Sequence, residues 1–133
     1  MIKLLLVEDN TLVRKGIASL LEAEEDMEVI AEASDGQQAL DLLGSGVKPD
    51  VVLTDLNMPG IDGIELTRQI CSSEFSSVKV IILTMHAKQV YVDKALEAGA
   101  LGYLLKNGEF EEIYHAIRVV NQNQSYVSAD IKS

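Results

Sequence analysis

"IKLLLVEDN" (residues 2–10) decides how the rest of the chain is read. Ile2 and the apolar run Leu4 to Val7 lead directly into two adjacent carboxylates, Glu8 and Asp9. A near-continuous aliphatic run of this length suits a parallel strand covered on both faces. Two like charges at its tip repel each other, so a cation is expected among them. Four more segments have the same character: "EVIAEA" (28–33), "DVVLTD" (50–55), "VKVIILT" (78–84) and "LGYLL" (101–105). Between them lie longer stretches with helical spacing. Their apolar positions are Leu12, Val13, Ile17, Leu20 and Leu21, then Val92, Ala95, Leu96 and Ala98, then Phe110, Ile113, Tyr114, Ile117 and Val120.

The punctuation agrees with this alternation. Ser34 with Gln37 reads as a capping box before 35–43, and Asp62 with Glu65 as another before 63–71. Gly99 is a helix stop after "DKALEA", and Glu109, Glu111 and Glu112 crowd the first turn of the last helix. Thr84, taken alone, reads as the N-cap of a helix over 87–98. Five strands and five helices in strict alternation predict an α/β fold: a single doubly wound five-stranded parallel sheet with right-handed crossovers. The domain is expected over 1–121. After it, "NQNQSYVSADIKS" turns polar and loses periodicity, like the beginning of a linker.

Bulk properties narrow the function. The 133 residues fit one domain, and there is no apolar run of ~18 residues and no signal peptide, so no membrane contact is expected. The single cysteine, Cys71, forms no internal disulfide, which suits a reducing cytoplasm. Twenty-one acids against 11 bases give a net charge of -10, which disfavours nucleic acid as a direct partner of this domain.

In open parallel sheets, ligands bind beyond the carboxyl ends of the strands, near the switch in strand order. The residues found there are Glu8 and Asp9 after the first strand, Asp55 after the third, Thr84 at the end of the fourth and Lys106 after the fifth. Neighbouring strands are ~4.8 Å apart, so these groups can share one site. Clustered carboxylates suit Mg²⁺, which keeps several waters and takes carboxylate and phosphate oxygens. No Ser or Cys ends a strand, so a nucleophile here has to be a carboxylate, and an Asp can accept a phosphoryl group as an acyl phosphate. Lys106 and Thr84 supply a positive charge and a hydrogen-bond donor.

These residues carry a resemblance. "LLVEDN", "VVLTDLNMPGIDGIEL", "VIILTMHA" and "AGALGYLLK" resemble the receiver domain of two-component response regulators over residues 1–121. The run from Leu83 to Val120 is similar to the NarL/FixJ type, the N-terminal domain of LuxR-family regulators. The resemblance implies a CheY-like (flavodoxin-like) sheet of order 2-1-3-4-5 and Asp55 as phosphoacceptor. It implies Mg²⁺ bound by Asp9 and Asp55, by Glu8 through water and by the backbone carbonyl of Asn57. Thr84 and Lys106 would grip the phosphoryl group, with Thr84 and Tyr103 as switch residues. The partners implied are a sensor histidine kinase (or a small acyl phosphate as donor) and a second copy in a homodimer on phosphorylation. DNA is reached only through a C-terminal helix-turn-helix domain, toward which 122–133 would lead. Such a domain is a signalling switch in transcription regulation rather than a turnover enzyme. A stand-alone receiver, or a degenerate one signalling by protein contact, is the alternative. Two residues depart from the general pattern. Met85 follows Thr84, which implies restricted access for small donors, and Asn107 follows Lys106, which implies a less constrained loop.

Other readings stay in view. A Mg²⁺-dependent phosphatase with an aspartyl-phosphate intermediate shares the strand-end Asp, Thr and Lys. It would carry a second Asp where this chain has Asn57, which cannot shuttle protons. A flavodoxin-like cofactor binder needs a phosphate-cradling first turn, and "VEDN" repels phosphate. Tyr103 alternates with Leu101 and Leu105, as packing residues do. His86 and His115 have no second ligand at metal spacing.

Overall fold

The computed structural model describes residues 1–131. The elements follow the order β1 (Ile2–Val7), α1 (Thr11–Glu22), β2 (Met27–Ala33), α2 (Gly36–Gly44), β3 (Val51–Thr54), α3 (Gly63–Cys71), β4 (Lys79–Thr84), α4 (Gln89–Ala98), β5 (Gly102–Leu105), α5 (Phe110–Asn121) and β6 (Tyr126–Val127). The strands form one parallel sheet of order β2-β1-β3-β4-β5-β6. This is the α/β CheY-like arrangement, 2-1-3-4-5, with a sixth strand added at the edge.

Alternate residues of each strand point to opposite faces, and both faces are covered. Leu4, Leu6, Leu53, Ile81, Leu83 and Leu104 pack on one side with Ile113, Ile117 and Val120 of α5 and Leu21 of α1. Leu5, Val7, Val52 and Val80 pack on the other with Ala39 and Leu43 of α2 and Leu66 and Ile70 of α3. Ile82, Tyr103 and Leu105 complete that side with Val92 and Ala95 of α4. Double coverage is why β1, β3 and β4 read as unbroken apolar runs. Val7 lies opposite Thr54, Thr54 opposite Ile82, and Thr84 opposite Leu105, so the strands end together along one edge.

The structure departs from the sequence expectations in four places. Leu12 is 84% exposed, and Val13, Leu96 and Phe110 also face solvent. The first turn of α1 runs past the tip of β1, and the buried face starts further along, at Ala18 and Leu21. Helix α2 is capped by Asp35, whose Oδ1 accepts from the Gln38 amide at 2.8 Å, rather than by Ser34. Ser34 instead donates through its amide and hydroxyl to the Gln38 side chain. Thr84 does not cap α4, which starts at Gln89 with Lys88 in the cap position and no side-chain cap bond. Finally, the sheet has six strands, not five. Tyr126 and Val127, in the stretch expected to start a linker, pair with Gly102 and Tyr103 of β5. Two residues flanked by polar ones carry too little alternation to be read as a strand. Asp62 does cap α3 as expected, accepting from the Glu65 amide at 2.8 Å.

Candidate functional site: an acidic cluster bridged by a lysine

The carboxyl edge of the sheet gathers the strand-end residues. Glu8, Asp9 and Asp55 each offer a carboxylate oxygen within 4.8 Å of the others. Glu8 is buried at 3% exposure, Asp9 is exposed, and Asp55 lies between. The Asp55 amide donates to Val7 O at 3.0 Å, which ties the tip of β3 to β1. Lys106 crosses from β5 and bridges the cluster. Its Nζ lies 2.6 Å from Glu8 Oε1 and 3.2 Å from Asp55 Oδ2. Burial works against the Lys106 charge, but the bond it donates to Glu8 and the Asp55 and Glu8 charges outweigh it and raise its pKa. The lysine thus supplies part of the positive charge that adjacent carboxylates require. All three acidic donors are oxygens, which suits a hard divalent cation.

Thr84 is buried at the tip of β4 and its Oγ1 accepts from the His86 amide at 3.2 Å. Its hydroxyl proton is left to donate elsewhere. Tyr103 is fully buried, as its alternation suggested, and its hydroxyl donates to His86 O at 2.7 Å. Burial and the neighbouring Tyr91 push its pKa up to about 12. Asn57 is exposed, and its side-chain amide hydrogen-bonds the ring of His86. The His86 ring also packs on Tyr91, with centroids 4.7 Å apart. Met85, expected to narrow the entrance, points into solvent at 64% exposure. The side chain reaching across toward the β3 end is that of His86.

Two contributors escaped the sequence reading. Arg14 Nη1 donates to Glu8 O at 2.7 Å while its Nε pairs with Glu32 at 3.1 Å, fixing the loop that carries Glu8 and Asp9. The hint was Glu32, an acid inside a strand with a basic helix beside it. Glu112 was read only as a dipole partner for α5, yet it accepts from Tyr126 and Ser128 of the C-terminal segment.

A doubly wound parallel sheet with a carboxylate cluster and a bridging lysine at its carboxyl edge defines a CheY-like domain with an acidic site suited to a metal ion. The chain belongs to the response regulator receiver domain family, whose model matches residues 4–118. Over 131 residues it is 45% identical to the transcriptional regulatory protein LiaR of Bacillus subtilis, covering 98% of this chain and 61% of LiaR. It is similar to the crystal structure of a LuxR-family two-component response regulator from Aurantimonas, with a TM-score of 0.91 and 36% identity over 97% of this chain and 91% of that one. It is also similar to the isolated receiver domain of RcsB from Salmonella enterica, solved with phosphomimetic BeF3-, with a TM-score of 0.87 and 26% identity over 98% of this chain and 95% of that one. The chain therefore spans about 61% of the LiaR length, and its similarity is to the receiver portion of LuxR-family regulators. No helix among the described residues is long and apolar enough to cross a membrane.

Proposed function

We propose that this receiver takes a phosphoryl group on Asp55 from a histidine kinase and thereby switches the face made by α4, β5 and α5. The observation that carries the reading is the placement of Glu8, Asp9 and Asp55 within 4.8 Å of one another with Lys106 reaching Asp55 at 3.2 Å. Asp9 and Asp55 would hold Mg²⁺ directly, Glu8 through water, and Asn57 through its backbone carbonyl. Bound there, Mg²⁺ supplies charge that offsets the carboxylates and attracts phosphoryl oxygens.

In the transfer, an Asp55 oxygen bonds to phosphorus as the P–N bond of phosphohistidine breaks, and the imidazole nitrogen keeps the bonding pair. Lys106 moves a short way from Asp55 to the incoming phosphoryl oxygens and neutralises them. Thr84 donates its hydroxyl proton to one of those oxygens. Drawing Thr84 inward moves the 84–88 loop, and Tyr103, bonded to His86 O, links that loop to β5. The phosphoryl group then biases an equilibrium between two arrangements of this face.

LiaR is named a transcriptional regulatory protein, which supports an output in transcription regulation; a C-terminal helix-turn-helix domain on DNA and a homodimer on phosphorylation belong to the same proposal. The net charge of -10 fits a domain that leaves DNA contact to another. A sensor histidine kinase as partner and a cytoplasmic setting follow from the same reading.

Intact-mass spectrometry after incubation with Mg²⁺ and phosphoramidate tests it. One added phosphoryl group is expected in the wild type and none in Asp55→Asn. An unmodified wild type that also fails to bind beryllofluoride would refute the reading.

A further inference from the structure

The C-terminal segment touches the strand that presents Lys106, and it does so through side chains. Leu105, the residue before Lys106, donates its amide to Ser128 Oγ at 3.2 Å. Ser128 Oγ donates in turn to Glu112 Oε1 at 3.1 Å, and the Ser128 amide donates to Tyr103 O at 3.0 Å. Glu112 Oε2 accepts from the Tyr126 hydroxyl at 2.9 Å. Ser128 is 5% exposed, a buried hydroxyl with its donor and acceptor sites both used. The same carboxylate backs the loop beyond Lys106: a Cβ added at Gly108 would lie 2.9 Å from Glu112 Oε1. The Leu105 amide is thus held by one hydroxyl–carboxylate pair, and the same carboxylate lies close to Gly108 beyond Lys106.

We infer that Ser128, held by Glu112, is a positioning residue that fixes the root of Lys106 for phosphoryl transfer to Asp55. The inference rests on the proposed function. A lysine with four rotatable bonds is held only as well as its backbone, and small misplacements of a charged group weaken transition-state stabilisation steeply. An alanine at 128 leaves the Leu105 amide and one Glu112 oxygen without these partners. On the other flank, Lys106 N donates to Thr84 O at 2.8 Å, a bond the substitution leaves in place.

The test measures phosphorylation of the 133-residue chain by phosphoramidate. The Asp55 oxygen forms the O–P bond, and the donor nitrogen, already protonated, leaves as ammonia with the bonding pair. Ser128→Ala should lower the rate at saturating donor about tenfold, the worth of one buried hydrogen bond felt in the transition state. Mg²⁺ affinity, set at β1 and β3, should be unchanged, and Ser128→Thr should restore the rate. Glu112→Gln, which keeps an acceptor on one atom only, should show a smaller loss in the same direction and serves as the readout should Ser128→Ala fold poorly. A wild-type rate in Ser128→Ala, or in Glu112→Gln where that variant is the readout, would overturn the inference. So would a rate loss matched by an equal loss of Mg²⁺ affinity, which would mark general loosening. A wild type that accepts no phosphoryl group sinks the proposed function itself, whereas a normal wild type with unaffected variants sinks only this inference.

Discussion

Glu8 and Asp55 share one ammonium, and the two carboxylates depend on it unequally. Glu8 is 3% exposed and pairs with Lys106 at 2.6 Å, whereas Asp55 stands at 3.2 Å and is better solvated. Lys106→Ala therefore leaves a buried carboxylate unpaired, which should cost about 3 kcal/mol in metal-free urea unfolding. Stability equal to the wild type would mean that water reaches Glu8 once the lysine is gone. Asp55→Asn loses the longer pair but relieves repulsion from Glu8 and Asp9, so its net effect should stay within about 1 kcal/mol. A larger loss in metal-free buffer would contradict this balance. Tyr103 gives a pH prediction. Its pKa rises from 10.0 to about 12 on folding, because burial disfavours the phenolate. Between those values the unfolded chain gives up the proton while the native chain keeps it, so stability falls as pH rises from 10 toward about 12. Tyr103→Phe should flatten that part of the alkaline limb, although it also loses the bond to His86 O, worth about 1 kcal/mol at neutral pH. Urea midpoints measured from pH 9 upward compare the two slopes, and parallel slopes would deny the buried phenol this role.

Elements place these residues, and here the sequence was legible unevenly. The tips of β1, β3, β4 and β5 could be read because strands covered on both faces are nearly all apolar toward their carboxyl ends, so the polar residues that follow the apolar run mark the tip. Helix starts were less legible: Ser34 and Asp35 both suit a cap, and only the fold shows that the Asp35 carboxylate takes the Gln38 amide. Strand β6 could not be read at all, because its pairing depends on a β5 edge that composition does not reveal. The roles of Arg14 and Glu112 escaped for a related reason, since each acts on a loop distant in sequence. The approach of α3 to the site hides in a single glycine. A Cβ at Gly63 would lie 2.2 Å from Asp55 O and 3.0 Å from Leu56 Cα, both backbone atoms, and the Gly63 amide donates to Leu56 O at 2.7 Å. Gly63→Ala must push α3 away from the end of β3. It should cost about 2 kcal/mol and slow phosphorylation of Asp55 by displacing its backbone. Wild-type values for both would mean that the β3–α3 loop yields without moving Asp55.

Over the whole molecule, 21 acids face 11 bases. Some of the excess is paired: Arg118 joins α5 to Glu24 at 2.6 Å and Asp26 at 2.9 Å, and lowers the Asp26 pKa. The cluster at the sheet edge is a local concentration of a charge carried by the whole chain. Any salt should therefore stabilise the fold somewhat by screening, and a site-bound cation should do more. The two effects separate when MgCl₂ is compared with NaCl at matched ionic strength. At a hundredfold excess over its dissociation constant, Mg²⁺ should add about 2.7 kcal/mol by mass action, beyond what NaCl provides. Asp9 is exposed and has no salt-bridge partner among the described residues, so Asp9→Asn should leave the fold and the NaCl response intact. It should remove most of the extra shift with Mg²⁺, as read by thermal melting. Equal melting of the wild type in the two salts would mean that the acidic edge only gathers diffuse counter-ions, and that Lys106 alone balances Glu8 and Asp55.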